Sequence, residues 1–418
     1  MKNWQLKLSL VLNYIVFAML LNSVGTVILQ VQNNFGVSES SASVLEAFKD
    51  LPIAITSFLI AAFVIRIGYK RTMLMGLMLV TIVCLIMPSL PYFWMTKLLF
   101  LSIGVGFAMI KVSVFATLGL VSSNEKEHVS FMSFLESFFM IGVLGGYFLF
   151  SAFVDQDNPT STSWMNVYYV LGACAFLAFI LLLITRLDES AVHKNSSLSF
   201  GDDFKKMLQL IILPLVIVFI ISIFFYVLVE QSIMSWLPTF NNQILHLPSK
   251  LSIEMASILA GSTAVGRLLA GFILKTVKWY WVVGISLVCA AAMVLIGLPL
   301  ALGTDASAST GWFDAPVAVF IFPLIGLFLA PVYPTINSVM LSRLPVEKHG
   351  PMSGLIVVFS ALGGTTGSII TGNVFQHVGG THAFYLSLIP ITLIMIALFF
   401  FKRMTDKKPV FDTKGIAE

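Results

Sequence analysis

The sequence predicts an all-α membrane protein with twelve transmembrane helices arranged as two six-helix repeats. Of its 418 residues, 58% are hydrophobic and only 11% are charged, whereas a soluble domain carries about 25% charged residues. The mean hydropathy is +0.96. The apolar residues fall into twelve stretches, each long enough to cross a bilayer as a helix. The two halves of the chain also share residues at matching places, which indicates a duplicated unit.

The twelve stretches are joined by short polar loops, except in the middle of the chain. They cover about residues 6–30, 42–65, 72–91, 98–121, 130–154, 165–186, 209–236, 252–274, 280–302, 315–341, 350–375 and 383–402. The segment 187–207 is polar, rich in serine and mixed in charge. We therefore predict a six-helix half at 1–186, a cytoplasmic linker at 187–207 and a second six-helix half with a short cytoplasmic tail at 208–418.

The basic residues indicate the orientation in the membrane. Nearly all lysines and arginines outside the stretches fall on the side that holds both termini, and only Lys97 and Lys250 fall on the other. Cytoplasmic loops carry such an excess, so we expect both termini in the cytoplasm and the chain in a bacterial inner membrane. This asymmetry explains the net charge of +4 without a nucleic-acid partner. All seven tryptophans fall at predicted helix ends, where an interfacial belt would place them.

The internal repeat is visible in residues of one half that align with residues of the other. The matched pairs are Lys70/Lys278, Gly76/Gly284, Gly142/Gly363 and Gly146/Gly367. A duplicated six-helix unit is typical of secondary transporters, whose halves rock against each other. Because small residues let helices approach closely, we expect Gly142, Gly146, Gly363 and Gly367 to bring helices of the two halves together during that motion.

A basic turn resembles the signature of the major facilitator superfamily. The motif Arg66-Ile-Gly-Tyr-Lys-Arg follows the second stretch, as that signature does between the second and third helices of the family. The resemblance implies the major facilitator fold and gives Arg66, Lys70 and Arg71 a structural or gating role. Ile65 stands where the family usually has an acid, so the charge pair that this acid normally makes is not implied here.

Within the superfamily the chain is most similar to the fucose permease and sugar:proton symporter group. The motifs that carry this likeness lie at 30–35, 235–238, 266–271 and 331–337. The resemblance implies transport of a sugar. Fucose permease uses an aspartate in helix one and a glutamate in helix four, and the alignment puts Gly25 and Met109 at those places. Any acid that couples transport to protons must therefore lie elsewhere in this chain.

The candidates for chemistry are charged residues inside the predicted helices, since ionisable groups are costly in a bilayer and usually functional. They are Glu46, Lys49, Asp50, Lys111, Glu136, Glu230 and Arg267. The sequence contains no phosphate-binding loop, no paired-cysteine or HExxH metal motif and no nucleophile elbow. We therefore expect a protein that is not an enzyme and that uses no metal and no cofactor.

Several polar residues at mid-membrane depth are predicted to bind substrate. Lys111 lies about 15 Å from the nearer end of its apolar run, so it needs a substrate, a water-filled cavity or Glu136 as a partner. Glu230 follows Tyr226 by one helical turn, where a carboxylate could accept hydrogen bonds from sugar hydroxyls. The predicted substrate-binding residues are Lys111, Asn22, Tyr226, Glu230, Tyr333 and Asn337.

The predicted proton-coupling residues are Glu230, Asp50, Glu46 and Glu136. Glu46 and Asp50 share a helical face with Lys49, so the three either neutralise one another or leave Asp50, the deepest, as the proton carrier. Glu136 is either the carrier, an ion-pair partner or a cytoplasmic gate. Glu230 has no basic residue within one turn along the chain, which favours it as the carrier. Arg267 lies in a Gly-Arg-x-x-x-Gly pattern that favours close helix packing and a structural role.

The leading expectation is uptake of a small polar solute together with protons, by alternating access. A sugar or sugar acid fits the family resemblance, and the central Lys111 also suits a small organic anion. An exporter that exchanges a small molecule for protons is a second hypothesis, and a sensor or scaffold that moves nothing is a third. The expected partners are a small-molecule substrate, protons and the lipid bilayer, with the chain acting as a monomer.

Overall fold

The computed structural model describes residues 4–121, 125–187, 189, 209–303, 306, 309, 311–344 and 348–405. In this part of the chain the regular secondary structure is helical, with no strand. A helix satisfies its backbone hydrogen bonds within one segment, as a bilayer requires. The predicted all-α class is confirmed. The predicted linker at 187–207 lies outside the described residues, except for Leu187 and Glu189.

The described residues form twelve successive helical segments, as predicted. They are α1 (Trp4–Asn22, continued by Val24–Phe35), α2 (Glu39–Ile67), α3 (Tyr69–Ile86), α4 (Phe93–Val121), α5 (Glu125–Ser151), α6 (Val167–Ile184), α7 (Pro214–Gln243), α8 (Ser249–Ile273), α9 (Trp279–Leu302), α10 (Val317–Ser342), α11 (His349–His377) and α12 (Gly380–Thr405). The break in α10 falls at Pro331, which lacks the amide hydrogen that a continuous helix needs.

Ten of the described helices are long and apolar enough to cross a membrane. The segment Ser137–Ser151 of α5 is a shorter apolar helix. The remaining helix, α2, is 29 residues long and carries Glu46, Lys49 and Asp50 in its first half. The chain is therefore a multi-pass membrane protein.

The chain divides into two compact units, each with its own helix packing. The first contains Met1–Ser38 and Val44–Ser199, and the second contains Glu39–Ser43 and Phe200–Glu418. The second unit thus includes the first turn of α2. In that unit Ser40 Oγ donates a hydrogen bond of 3.0 Å to Asn373 Oδ1 of α11.

In the first unit, neighbouring helices pack closely where one of them carries a glycine. α1 packs mainly against α5, and α3 packs against α4 and α6. A Cβ atom at Gly142 of α5 would lie 2.7 Å from the Ile15 carbonyl and 2.8 Å from the Ala18 Cβ. Gly146 lies against Met19 in the same way, at 3.4 Å. Only a residue without a side chain allows α1 and α5 to come this close at Gly142.

The second unit uses the same device between α7 and α11. α7 packs against α11 and α12, and α8 packs against α10. A Cβ atom added at Gly363 would clash with the backbone carbonyl of Phe224, and one added at Gly367 would clash with that of Leu228. The four glycines therefore bring together helices of one unit. This corrects the expectation that their close approach joins helices of the two halves, because the bare face of each glycine is filled by its own unit.

The tryptophans depart in part from the predicted belt. Trp4, Trp94 and Trp281 are exposed, as residues of an interfacial belt would be. Trp164 and Trp236, in contrast, are completely buried. Trp236 Nε1 donates a hydrogen bond of 3.1 Å to Ser368 Oγ of α11, so this indole fixes helix packing.

Candidate functional site

A polar cluster lies in the second unit, and its first members are on α7 and α8. The Tyr226 hydroxyl donates a hydrogen bond of 2.8 Å to Glu230 Oε1. Arg267 Nη2 lies 3.7 Å from the same carboxylate oxygen. The Tyr226 ring is fully buried, whereas the side chains of Arg267 and Glu230 remain 41% and 24% exposed. The cluster therefore has a buried anchor and two charged groups that remain partly exposed.

α10 and α11 complete this cluster. The Tyr333 ring stacks obliquely on the Tyr226 ring, with centroids 5.7 Å apart and planes inclined by 33°. The Tyr333 hydroxyl lies 3.2 Å from Ser360 Oγ and also interacts with the Asn337 side chain. Asn337 Oδ1 is buried and makes no hydrogen bond among the described residues. A buried acceptor without a donor is costly, so this oxygen is a natural place for a hydroxyl or a water.

The structure thus brings together four of the six predicted substrate-binding residues: Tyr226, Glu230, Tyr333 and Asn337. It adds Arg267, which the sequence assigned to helix packing, and Ser360, which was not predicted. Gly266, next to Arg267, does pack closely, because a Cβ atom added there would lie 2.8 Å from the Ala330 Cβ. A Cβ atom added at Gly271 would have no neighbour within 4 Å. The packing role therefore belongs to the first glycine of the pattern, and the guanidinium between them belongs to the polar cluster.

In the first unit, Glu46, Lys49 and Asp50 form a buried charged triplet on α2. The residues are 0%, 5% and 8% exposed. Lys49 Nζ contacts Glu46 Oε1 and lies 3.5 Å from Asp50 Oδ1. Gly104 of α4 packs on the Lys49 backbone carbonyl, so no side chain separates α4 from the triplet there. The predicted shared face is confirmed, and one ammonium serves two carboxylates.

Lys111 lies on α4, partly buried, and its ammonium is 5.6 Å from the centre of the Phe107 ring. That ring belongs to an aromatic group with Phe17 and Phe139, at centroid distances of 5.9 and 6.2 Å. The side chain of Glu136, its predicted partner, lies outside the described residues.

Asn22, another predicted substrate-binding residue, lies at the point where α1 breaks. Its side-chain amide donates a hydrogen bond of 2.9 Å to the Ala18 carbonyl one turn earlier, so one of its two amide hydrogens is used within α1.

The predicted gating turn between α2 and α3 is held inside the first unit. Lys70 Nζ donates hydrogen bonds of 2.8 and 2.7 Å to the carbonyls of Leu183 and Thr185 at the end of α6. The Lys70 amide donates one of 2.7 Å to Glu189 Oε1. Arg71 is exposed, and the side chain of Arg66 lies outside the described residues. Glu189 thus supplies an acid to a turn in which Ile65 replaces the usual one.

The fold and these clusters define a class of protein: a helical membrane transporter whose long apolar helices carry charged and polar side chains. Residues 10–367 match the Major Facilitator Superfamily, and the chain belongs to that family. The resemblance seen in the sequence is confirmed at this level.

Relatives and solved structures agree with this assignment. The chain is 21% identical over 356 residues to a protein named TsgA homolog of Buchnera aphidicola subsp. Baizongia pistaciae (strain Bp), which covers 76% of this chain and 83% of the relative. It resembles the crystal structure of a bacterial homolog to the human lysosomal transporter Spinster, with a TM-score of 0.71, 14% identity and 96% of each chain covered. It also resembles the transporter FucP in the outward conformation, with a TM-score of 0.63, 16% identity and coverage of 95% of this chain and 98% of FucP. At these identities the solved structures show the fold alone.

Proposed function

We propose that the protein is a secondary active transporter that takes up a small polar solute together with protons. The solute is a sugar, a sugar acid or another small organic anion. The proposal places the chain in a bacterial inner membrane as a monomer, with both termini in the cytoplasm. The observation that carries it is the polar cluster of the second unit: Tyr226, Glu230, Arg267, Tyr333, Asn337 and Ser360.

The composition of this cluster supports a polar solute with hydroxyl groups. Glu230 and Asn337 Oδ1 are acceptors for hydroxyl hydrogens, and Arg267 is a donor. Tyr333, which is partly exposed, adds a flat ring surface against which the apolar face of a sugar ring can pack, and the buried Tyr226 ring supports it from behind. Polar contacts of this kind set orientation and specificity in binding sites that are otherwise apolar.

We propose Glu230 as the residue that takes the proton, with Asp50 of the buried triplet as the alternative. Glu230 is accessible and keeps one carboxylate oxygen, Oε1, in contact with both Tyr226 and Arg267. Asp50 shares Lys49 with Glu46, so the triplet holds one negative charge in excess and is a second place where a proton would relieve buried charge.

Uptake into proteoliposomes tests the function. The purified chain is reconstituted, a pH gradient is imposed, and radiolabelled neutral sugars, hexuronates and small carboxylates are offered. We expect at least one solute to accumulate with the gradient, and Glu230→Gln to exchange that solute without accumulating it. A sensor or scaffold would move none of them, and an exporter would lose preloaded solute when protons enter. If Glu230→Gln and Asp50→Asn both retain gradient-driven accumulation, the coupling assignment is wrong.

Glu254→Gln is a matched control for Glu230→Gln. Glu254 is also a helix carboxylate that receives an aromatic donor, because Trp312 Nε1 donates a hydrogen bond of 2.8 Å to Glu254 Oε2. It lies near the start of α8, away from the polar cluster. We expect this variant to keep gradient-driven accumulation.

A further inference from the structure

We propose that Arg267 binds the carboxylate of the substrate in exchange for Glu230, so that one small hydroxylated monocarboxylate and one proton are taken up together. This inference rests on the proposed function and specifies its substrate. It reassigns Arg267 from helix packing to substrate binding. The observation behind it is the shared oxygen: Glu230 Oε1 accepts from Tyr226 at 2.8 Å and lies 3.7 Å from Arg267 Nη2.

The contact between Arg267 and Glu230 is suited to exchange. A separation of 3.7 Å is longer than a hydrogen bond, whereas a guanidinium binds a well-placed carboxylate through two parallel hydrogen bonds. The Arg267 side chain is 41% exposed, so an incoming carboxylate can reach it. A substrate carboxylate would therefore make a better-formed pair with Arg267 than Glu230 does.

Glu230 has a second partner that remains when Arg267 is taken. The groups in contact with its carboxylate are Tyr226 on the same helix and Arg267 on α8, and Tyr333 on α10 packs against the Tyr226 ring. The Glu230 side chain is only 24% exposed, and a largely buried carboxylate that loses its cation is unfavourable. A proton from water that binds Glu230 removes this charge, and the Tyr226 hydroxyl continues to donate to the carboxyl group.

The charge balance follows directly. Before exchange, the Arg267 cation and the Glu230 anion sum to zero. After exchange, the Arg267 cation pairs with the substrate anion and Glu230 is neutral, so the sum is again zero. Only one O–H bond forms, between Glu230 and the proton. The loaded and empty site therefore carry the same charge, which keeps the electrostatic cost of moving it through the bilayer the same in both states.

The other members of the cluster define the rest of the substrate. Asn337 Oδ1 is a buried acceptor without a hydrogen-bond donor among the described residues, and it lies beside Tyr333. A hydroxyl on the substrate would supply that donor. The Tyr333 ring packs on the Tyr226 ring, and the Tyr226 hydroxyl donates to Glu230, so the hydroxyl position beside Tyr333 and the carboxylate position beside Arg267 belong to one cluster that a single small molecule would span.

The test compares each acid with its neutral counterpart in proteoliposomes: D-glucuronate with D-glucose, D-galacturonate with D-galactose, and glycerate with glycerol. We expect a pH gradient to drive accumulation of at least one acid and none of its neutral counterpart. A potassium diffusion potential set with valinomycin should change the rate by less than about twofold, because the cycle moves no net charge. Arg267→Gln should lower uptake of the acid about 100-fold, the loss of a charge-assisted pair.

Two further variants separate the loss of proton coupling from a failure to fold. Glu230→Gln should exchange the acid at any pH but not accumulate it, and the double variant Glu230→Gln/Arg267→Gln shows whether the chain folds without either charge. If neutral solutes alone are taken up, or if Arg267→Gln retains uptake of the acid within about twofold, this inference is overturned while the proposed function stands. If neither acids nor neutral solutes move, the proposed function itself fails.

Discussion

Tyr226 donates a 2.8 Å hydrogen bond to Glu230 one turn further along α7, and this bond orients the only acid described on that helix. Residues four apart lie on the same helix face, so the backbone of α7 brings the two side chains together. The Tyr226 ring is fully buried and packs on Tyr333. The tyrosine therefore holds one carboxylate oxygen of Glu230 in place beside Arg267.

The variant Tyr226→Phe removes only this hydrogen bond, because the ring and its contact with Tyr333 remain. A buried hydrogen bond to a charged group contributes about 1.5–3 kcal/mol, and we expect KM for uptake to rise by about tenfold or more. Proteoliposome uptake measures the change. The matched control is Tyr168→Phe in the first unit, a buried tyrosine whose hydroxyl lies 3.4 Å from Ser23 Oγ. An equal effect of both variants on KM would argue against a special role for Tyr226.

The buried triplet leads to a stability prediction. Lys49→Met leaves the carboxylates of Glu46 and Asp50 without their ammonium, and breaking a buried pair in this way costs about 3–5 kcal/mol. We expect a large fall in the detergent melting temperature. The triple variant Glu46→Gln/Lys49→Met/Asp50→Asn removes all three charges and should recover most of the loss. If Lys49→Met melts like the parent protein, the triplet does not hold α2 in place.

The sequence predicts the helices and the pairs within one helix, because both depend on local spacing. Tyr226 with Glu230, and Tyr333 with Asn337, are four apart, and the structure brings the members of each pair together. Arg267 and Ser360 reach the same cluster from α8 and α11, and a helical period does not encode which neighbouring helix a residue faces. Arg267 carried one usable signal, a guanidinium in an apolar helix that must find a partner. Ser360 carried none.

The same limit explains the glycines and Trp236. A small residue in a helix predicts close approach, and close approach is what Gly142, Gly363 and Gly367 show. The identity of the neighbour is a matter of tertiary packing, and it is a helix of the same unit in each case. Trp236 falls at the predicted end of its helix, but α7 continues to Gln243, so the indole lies inside the unit.

The contact between α7 and α11 predicts the effect of Gly367→Ala. The added methyl group would meet the Leu228 carbonyl and lie 2.7 Å from Ser232 Oγ. Overpacking of this kind costs about 1–3 kcal/mol, so the melting temperature should fall. Gly271→Ala is the control, since nothing lies within 4 Å of its added Cβ, and alanine is the better helix former. A fall for Gly271→Ala alone would contradict this packing.

Two glycines with positive φ, Gly68 in the turn between α2 and α3 and Gly36 at the end of α1, allow a further comparison of stability. Gly68 has φ +95°, and its added Cβ would lie 2.6 Å from Glu189 Oε2. Gly36 has φ +59° and open space around it. Gly36, at φ +59° and ψ 27°, carries only the left-handed strain of about 1–2 kcal/mol when it becomes alanine. Gly68, at φ +95° and ψ 140°, lies in a region that essentially only glycine adopts, and its Cβ would also displace Glu189 from the Lys70 amide. We expect Gly68→Ala to lower the melting temperature more, and Gly68→Ala/Glu189→Gly to recover part of the difference. If Gly68→Ala/Glu189→Gly melts no higher than Gly68→Ala, the clash with Glu189 is not part of the cost.

Lys111 provides the last prediction, and it separates function from stability. The residue lies about 15 Å from the nearer end of α4, where a lysine costs about 2.5–3.5 kcal/mol to insert. The Phe107 ring at 5.6 Å offsets about 0.5–2 kcal/mol of this cost through a cation–π contact. Ionisable residues at such depth usually serve function. We therefore expect Lys111→Met to remain folded in detergent and to lose uptake of the solute identified in proteoliposomes. Lys97→Met is the matched control, because Lys97 lies over the Phe93 ring at 4.5 Å near the start of the same helix, and it should transport normally. Full uptake by Lys111→Met would assign that lysine to packing.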